Sequence, residues 1–176
     1  MSESTTTIEP IVRTVTVNAP VDTCFRTFVE RWAQWWPPEH HIGPDREITE
    51  LHLEGKVGGR AYDIDTTGAE CQWGTVIAFD PPRRLVIAWH IQPDFTTIDL
   101  DPARSSEVEV TFKAAGEERT EVRLVHGHLE RHGSGAGSMH GSVGNDEGGW
   151  GFLIARFADV AEGRAPRPLP AAPSGV

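Results

Sequence analysis

The sequence predicts an α+β fold: a curved antiparallel sheet of about seven strands wrapped around a long C-terminal helix, with short helices between the first two strands. Three observations carry this expectation. Trp150, Leu153, Ile154, Phe157 and Ala161 recur at i, i+3, i+4, i+7 and i+11, which sets them on one helical stripe. Six alternating or β-branched segments precede that stripe, joined mostly by links of hairpin length, and such links join antiparallel neighbours. A seventh strand opens the chain, followed by a helical stripe of its own.

Residues 1–10 are polar and read as a tail. Ile11, Arg13, Val15 and Val17 alternate with Val12, Thr14, Thr16 and Asn18, which is a strand pattern rich in β-branched residues. Pro20 suits the start of a helix, and Val21, Cys24, Phe25, Phe28 and Trp32 form its apolar stripe. Pro37 and Pro38 forbid its continuation. Further strands are expected over residues 46–53, 58–64, 70–79, 85–91, 106–114 and 120–129. Asp63 and Asp65 share one strand face and are read as pointing outward. The glycine-rich stretch 131–142 is read as a turn, with Asn145 or Asp146 capping the last helix. Gly163 and Pro166 end that helix, so the domain spans residues 11–162 and residues 163–176, rich in Pro and Ala, form a second tail.

The 176 residues suit one domain with a substantial core. Sixteen basic residues face 26 acidic ones, for a net charge of −10. That balance argues against nucleic acid and anionic membranes, whose binding rests on clustered Lys and Arg. No apolar run approaches the about 20 residues that span a bilayer. The first residues lack the basic and apolar regions of a secretory signal, so a cytoplasmic location is expected. Cys24 and Cys71 are expected to be free thiols in a reducing compartment.

Chemistry-bearing groups are few. His126 and His128 lie two apart on the last strand, on a face shared with Val122 and Leu124. A polar ring in an apolar wall needs a partner. Either Tyr62, a carboxylate or backbone supplies it, or the imidazole offers a hydrogen bond to a ligand. His132 extends the set to a His-x-His-x3-His pattern, but no HExxH motif or cysteine pair supports a metal, and none is expected. Gly133, Gly135 and Gly137 lack the parallel βαβ unit that a dinucleotide loop requires, so no cofactor is expected. Trp32, Trp35 and Trp36 fall within five residues and cannot share one narrow helix face. They either plug the open end of the sheet or line a pocket mouth.

The order and spacing of several short motifs resemble the SRPBCC superfamily, also called START-like or birch-pollen-allergen-like, with a helix-grip fold. They are Ala19-Pro20, Trp35-Trp36-Pro37, the run from Asp80 to Leu85 with Trp89, Leu124-Val125-His126, residues 129–133, Gly148-Gly149-Trp150 and Arg156-Phe157. Within it, the chain is most similar to bacterial homologues of the activator of the heat-shock-protein-90 ATPase. The resemblance implies a hydrophobic cavity for a small apolar or aromatic molecule. Phe28, Trp35, Trp36, Trp89, His126, Trp150 and Ile154 are the expected wall, with His126 as the candidate orienting or general-base residue. A cyclase- or hydrolase-type enzyme and a chaperone co-factor with a protein partner are the alternatives, and a homodimer is left open.

Overall fold

The computed structural model describes residues 8–42, 46–145 and 148–168. Its elements are β1 (Ile11–Val17), α1 (Val21–Glu30), α2 (Trp32–Trp35), β2 (Ile48–Leu53), β3 (Arg60–Asp65), β4 (Glu70–Asp80), β5 (Arg84–Trp89), β6 (Ser106–Gly116), β7 (Arg119–Gly127), α3 (Ala136–Val143) and α4 (Trp150–Ala161). The strands form one sheet in the order β1-β7-β6-β5-β4-β3-β2, antiparallel throughout. Six strands meander, and β1 returns alongside the last, with Ile11 opposite His126 and Val17 opposite Thr120. Register shifts interrupt the β2–β3, β3–β4, β4–β5 and β6–β7 ladders. Such bulges bend a sheet, and here the sheet curls around α4 as a half-barrel.

The core sits between the sheet's inner face and the helices. Val108, Val110 and Phe112 of β6 join Val122 and Leu124 of β7 on that face. Phe157 of α4 is fully buried against Phe28, Trp35 and Phe112. Edge-to-face aromatic pairs of this kind contribute beyond their buried area, by about 0.5–1.5 kcal/mol each. Among the described residues, no helix is long and apolar enough to cross a membrane. Cys24 and Cys71 are both free.

Three local readings of the sequence are corrected. The glycine-rich stretch is helical, not a turn: a 3-10 segment (Leu129–Gly135) leads into α3. Leu129, His132, Ala136, Met139 and Val143 bury one side of it, at helical spacing. Gly133 supplies a kink within the 3-10 segment at φ +73°, where a side chain would be strained. The cap of α4 is Gly149, not Asn145, and Asp146 lies outside the described residues. A Cβ on Gly149 would lie 2.4 Å from the carbonyl oxygens of Val143 and Asn145, so no capping side chain fits there. Asp63 and Asp65 are buried rather than outward. Arg46 reaches both, donating from Nη2 to Asp63 and from Nε to Asp65, each at 2.8 Å.

The polar stripe of α4 is also covered. Arg156 donates from Nε to the carbonyl of Trp35 at 2.7 Å. Residues 164–168, assigned to the tail from sequence, fold back over this stripe. Asp159 accepts from the Arg167 backbone N–H, Nε and Nη2 at 2.8–3.0 Å, and from Arg164. The Arg167 hydrogen bond holds the Asp159 carboxyl well below the usual carboxylate range. Asp159→Asn should cost about 1–2 kcal/mol, read from urea denaturation, because it weakens charge-assisted bonds whose arginine ends remain half in water. A loss under about 0.5 kcal/mol would show that the clasp is ornamental to stability.

Candidate ligand cavity

A cavity of about 260 Å³ opens beside the N-terminal end of α4. Its apolar wall is Trp36, Ile42, Trp89, Ile91, Phe95, Val143, Trp150 and Leu153. Its polar lining is Glu39, His40, His41 and Ser142, with the backbone of Gly148 and Gly149. Four separate segments therefore converge: the stretch after α2, the end of β5 with the loop beyond it, α3, and the first turn of α4.

Aromatic packing fixes the wall. The rings of Trp32, Trp36 and Trp73 stack nearly parallel, with interplanar angles of 8–24°. Trp150 meets Trp36 and Trp89 at centroid distances of 5.9 and 5.8 Å. Trp35, by contrast, packs edge-on against Trp32 and Phe157 inside the core. Of the residues expected from sequence, Trp36, Trp89 and Trp150 line the cavity. Phe28, Trp35 and Ile154 are core residues behind it, and Leu153 takes the place at the wall expected for Ile154.

His126 does not line the cavity. It is fully buried behind Trp89 and Trp150, and both of its ring nitrogens have protein partners. Trp150 Nε1–H can only donate, so it fixes His126 Nδ1, 2.9 Å away, as the acceptor. The ring proton then sits on Nε2, which donates to Ser106 Oγ at 2.8 Å. The Ser106 hydroxyl in turn donates to His132 Nε2 at 2.7 Å, and His132 Nδ1 faces Gln92 Oε1 at 3.5 Å. Burial pushes the His126 pKa down to about 3, with His132 adding to the shift, and burial lowers His132 as well. A neutral relay thus positions the indole of Trp150. The partners are Ser106 and Trp150 rather than Tyr62 or a carboxylate, and sequence spacing gave no signal for them.

His128 turns away from this relay. It adopts φ +57° at the strand end and is half exposed beside Glu130. His126, His128 and His132 therefore do not converge. Among the described residues, no group of three or more His, Cys, Asp or Glu is arranged to hold a metal.

The polar groups that sequence reasoning missed are those at the cavity mouth. His40 is held at three points. Its backbone N–H donates to Pro37 O, its carbonyl accepts from Trp36 Nε1, and its Nε2–H donates to Gly148 O at 2.6 Å. The adjacent Pro37-Pro38 pair, which stops the preceding helix, was the available signal.

A curved antiparallel sheet gripping a C-terminal helix, with a tryptophan-lined cavity at one end, defines a helix-grip protein of the SRPBCC class. The family model described as activator of Hsp90 ATPase homolog 1-like protein matches residues 18–162, and the chain belongs to that family. Among solved structures, the chain is similar to an anthrahydroquino-γ-pyrone synthase, Txn09. The two are 39% identical with a TM-score of 0.61, over 88% of this chain and 97% of that one. It is also similar to CalC, a self-sacrificing resistance protein from Micromonospora echinospora. Here identity is 32% and the TM-score 0.62, over 88% and 94% of the two chains. A protein from Arthrobacter aurescens, 18% identical with a TM-score of 0.58 over 89% and 88%, shares the fold. No curated protein matches the chain.

Proposed function

We propose that this protein binds a small, flat aromatic molecule in the cavity beside α4. The carrying observation is the wall itself: Trp36, Trp89 and Trp150, buried in the core, line one open cavity. Apolar surface buried there would drive binding at roughly 25 cal/mol per Å² before association costs. At about 260 Å³, the cavity lies just under the roughly 300–1,000 Å³ of typical ligand pockets, which favours a compact ring system.

The relative named as an anthrahydroquino-γ-pyrone synthase supports a fused-ring ligand and a second reading, in which the bound ring system undergoes ring closure. On that reading, a catalytic base must come from the mouth of the cavity. His126 is enclosed and already donates and accepts within the protein. A base must reach the proton it takes.

Titration with anthraquinone, followed by quenching of tryptophan fluorescence, tests the binding reading. Saturable quenching is expected for the wild-type protein, with at least about a tenfold loss of affinity in Leu153→Trp, which fills the cavity. Equal affinity in that variant would move the ligand elsewhere and sink the assignment.

A further inference from the structure

The polar lining of the cavity is rich in hydrogen-bond acceptors, beside the Ser142 hydroxyl, which can donate or accept. Two of the three wall indoles contribute no free donor. Trp36 gives its N–H to the His40 carbonyl and Trp150 gives its own to His126. Trp89 Nε1 is buried and has no partner among the described residues. The histidines at the mouth then decide the matter. His40 Nε2 lies 2.6 Å from Gly148 O, and a carbonyl can only accept. The proton of the neutral His40 ring is therefore on Nε2, and Nδ1 carries a lone pair. Among the described residues, that nitrogen has no partner. His41 repeats the pattern with the nitrogens exchanged: Nδ1 donates to Ile42 O at 3.3 Å, which leaves Nε2 as the acceptor. Glu39, also at the mouth, adds a carboxylate, which in its ionised form only accepts.

Of these groups, His40 is the most firmly tethered. Its backbone N–H, its carbonyl and its Nε2–H are each tied down, and its ring lies edge-on to Trp36 at 6.2 Å. A ring with one nitrogen anchored on a carbonyl and the other bare is pre-oriented to receive a proton donor.

We infer that the cavity selects aromatic ligands that donate hydrogen bonds, phenols or hydroquinones, and that His40 Nδ1 accepts the ligand hydroxyl. This rests on the cavity being the binding site, as proposed above. A methyl ether presents the same ring and the same oxygen but no proton. It leaves the His40 lone pair without a partner in a partly enclosed site.

The test compares 2-hydroxyanthraquinone with 2-methoxyanthraquinone by tryptophan quenching, in the wild-type protein and in His40→Gln. Glutamine can place an amide N–H near the position of Nε2, so it keeps the tether to Gly148 and leaves no acceptor at the position of Nδ1, its own carbonyl oxygen lying elsewhere. The wild-type protein should prefer the hydroxyl compound by about three- to tenfold, the value of one hydrogen bond, and the preference should fall below about twofold in the variant. Binding of the methoxy compound to the variant reports that its cavity is formed. Equal affinities for both compounds in the wild-type protein would overturn the acceptor-wall inference and leave the cavity reading standing. A preference that survives in His40→Gln would overturn the assignment to His40. Failure of both compounds to bind the wild-type protein would sink the cavity reading and this inference together.

Discussion

Arg46→Met should lower the unfolding free energy by about 3 kcal/mol or more, because it leaves a buried carboxylate without its cation. Arg46 lies just before β2 and reaches across to β3, where the side chains of Asp63 and Asp65 are 3% and 6% exposed. The two carboxylates are not equivalent. Asp65 also accepts from the Thr67 hydroxyl, the Thr67 N–H and the Ala69 N–H. The Thr67 hydroxyl, with Arg46 next, pulls its pKa down. Asp63 has Arg46 as its hydrogen-bond partner, and burial pushes its pKa up even with that arginine present.

Loss of Arg46 therefore falls mainly on Asp63. Adding Asp63→Asn to Arg46→Met should recover a substantial part of the loss, and adding Asp65→Asn should recover less. Urea denaturation of the three proteins measures this ordering. An Arg46→Met protein within about 1 kcal/mol of wild type would mean that water relieves Asp63 after all. An equal rescue by both second substitutions would mean that the carboxylates act as one unit.

The same residues mark where sequence reading stops. The succession of strands along the chain, the helix between the first two strands and the C-terminal helix were all legible, because alternation and a 3.6-residue period are local signals. The family resemblance was legible from short motifs. The burial of Asp63 and Asp65 was not, since two aspartates flanking Ile64 look the same whether they face water or an arginine 17 and 19 residues back in the chain. The stripe Leu129, His132, Ala136, Met139 and Val143 was hidden because glycines and serines dominate the residues between. At the cavity, the family resemblance implied Trp36, Trp89 and Trp150 as wall residues. It could not separate them from Phe28 and Trp35, which share their chemistry and differ only in what packs in front of them. The role of His40 depends on a backbone carbonyl 108 residues away, a partner that no side-chain pattern encodes.

Stability should fall steeply as pH drops from about 6.5 towards 4.5, before most carboxylates titrate. His126 supplies the sign. Its pKa is near 6.5 in the unfolded chain and about 3 when folded, so in that interval the unfolded state binds a proton that the folded state refuses. Each pH unit then costs about 1.4 kcal/mol for this residue alone, or about 2 kcal/mol by pH 5. Burial lowers His90 and His132 too, so the slope should exceed one proton. Asp65, Asp94 and Asp159, whose pKa values are lowered, keep their stabilising effect until the pH falls below the ordinary carboxylate range, which separates the two windows. Urea midpoints at pH 7.5, 6 and 5 would measure the slope, and a flat profile would contradict a buried neutral His126. His126→Asn offers Trp150 an oxygen near the position of Nδ1 and should flatten the slope by about one proton, at the cost of a lower starting stability. The link to the cavity follows from the same bond. A protonated His126 has no lone pair to give Trp150, so the bond that fixes one wall of the cavity is the one the folded state keeps by refusing the proton.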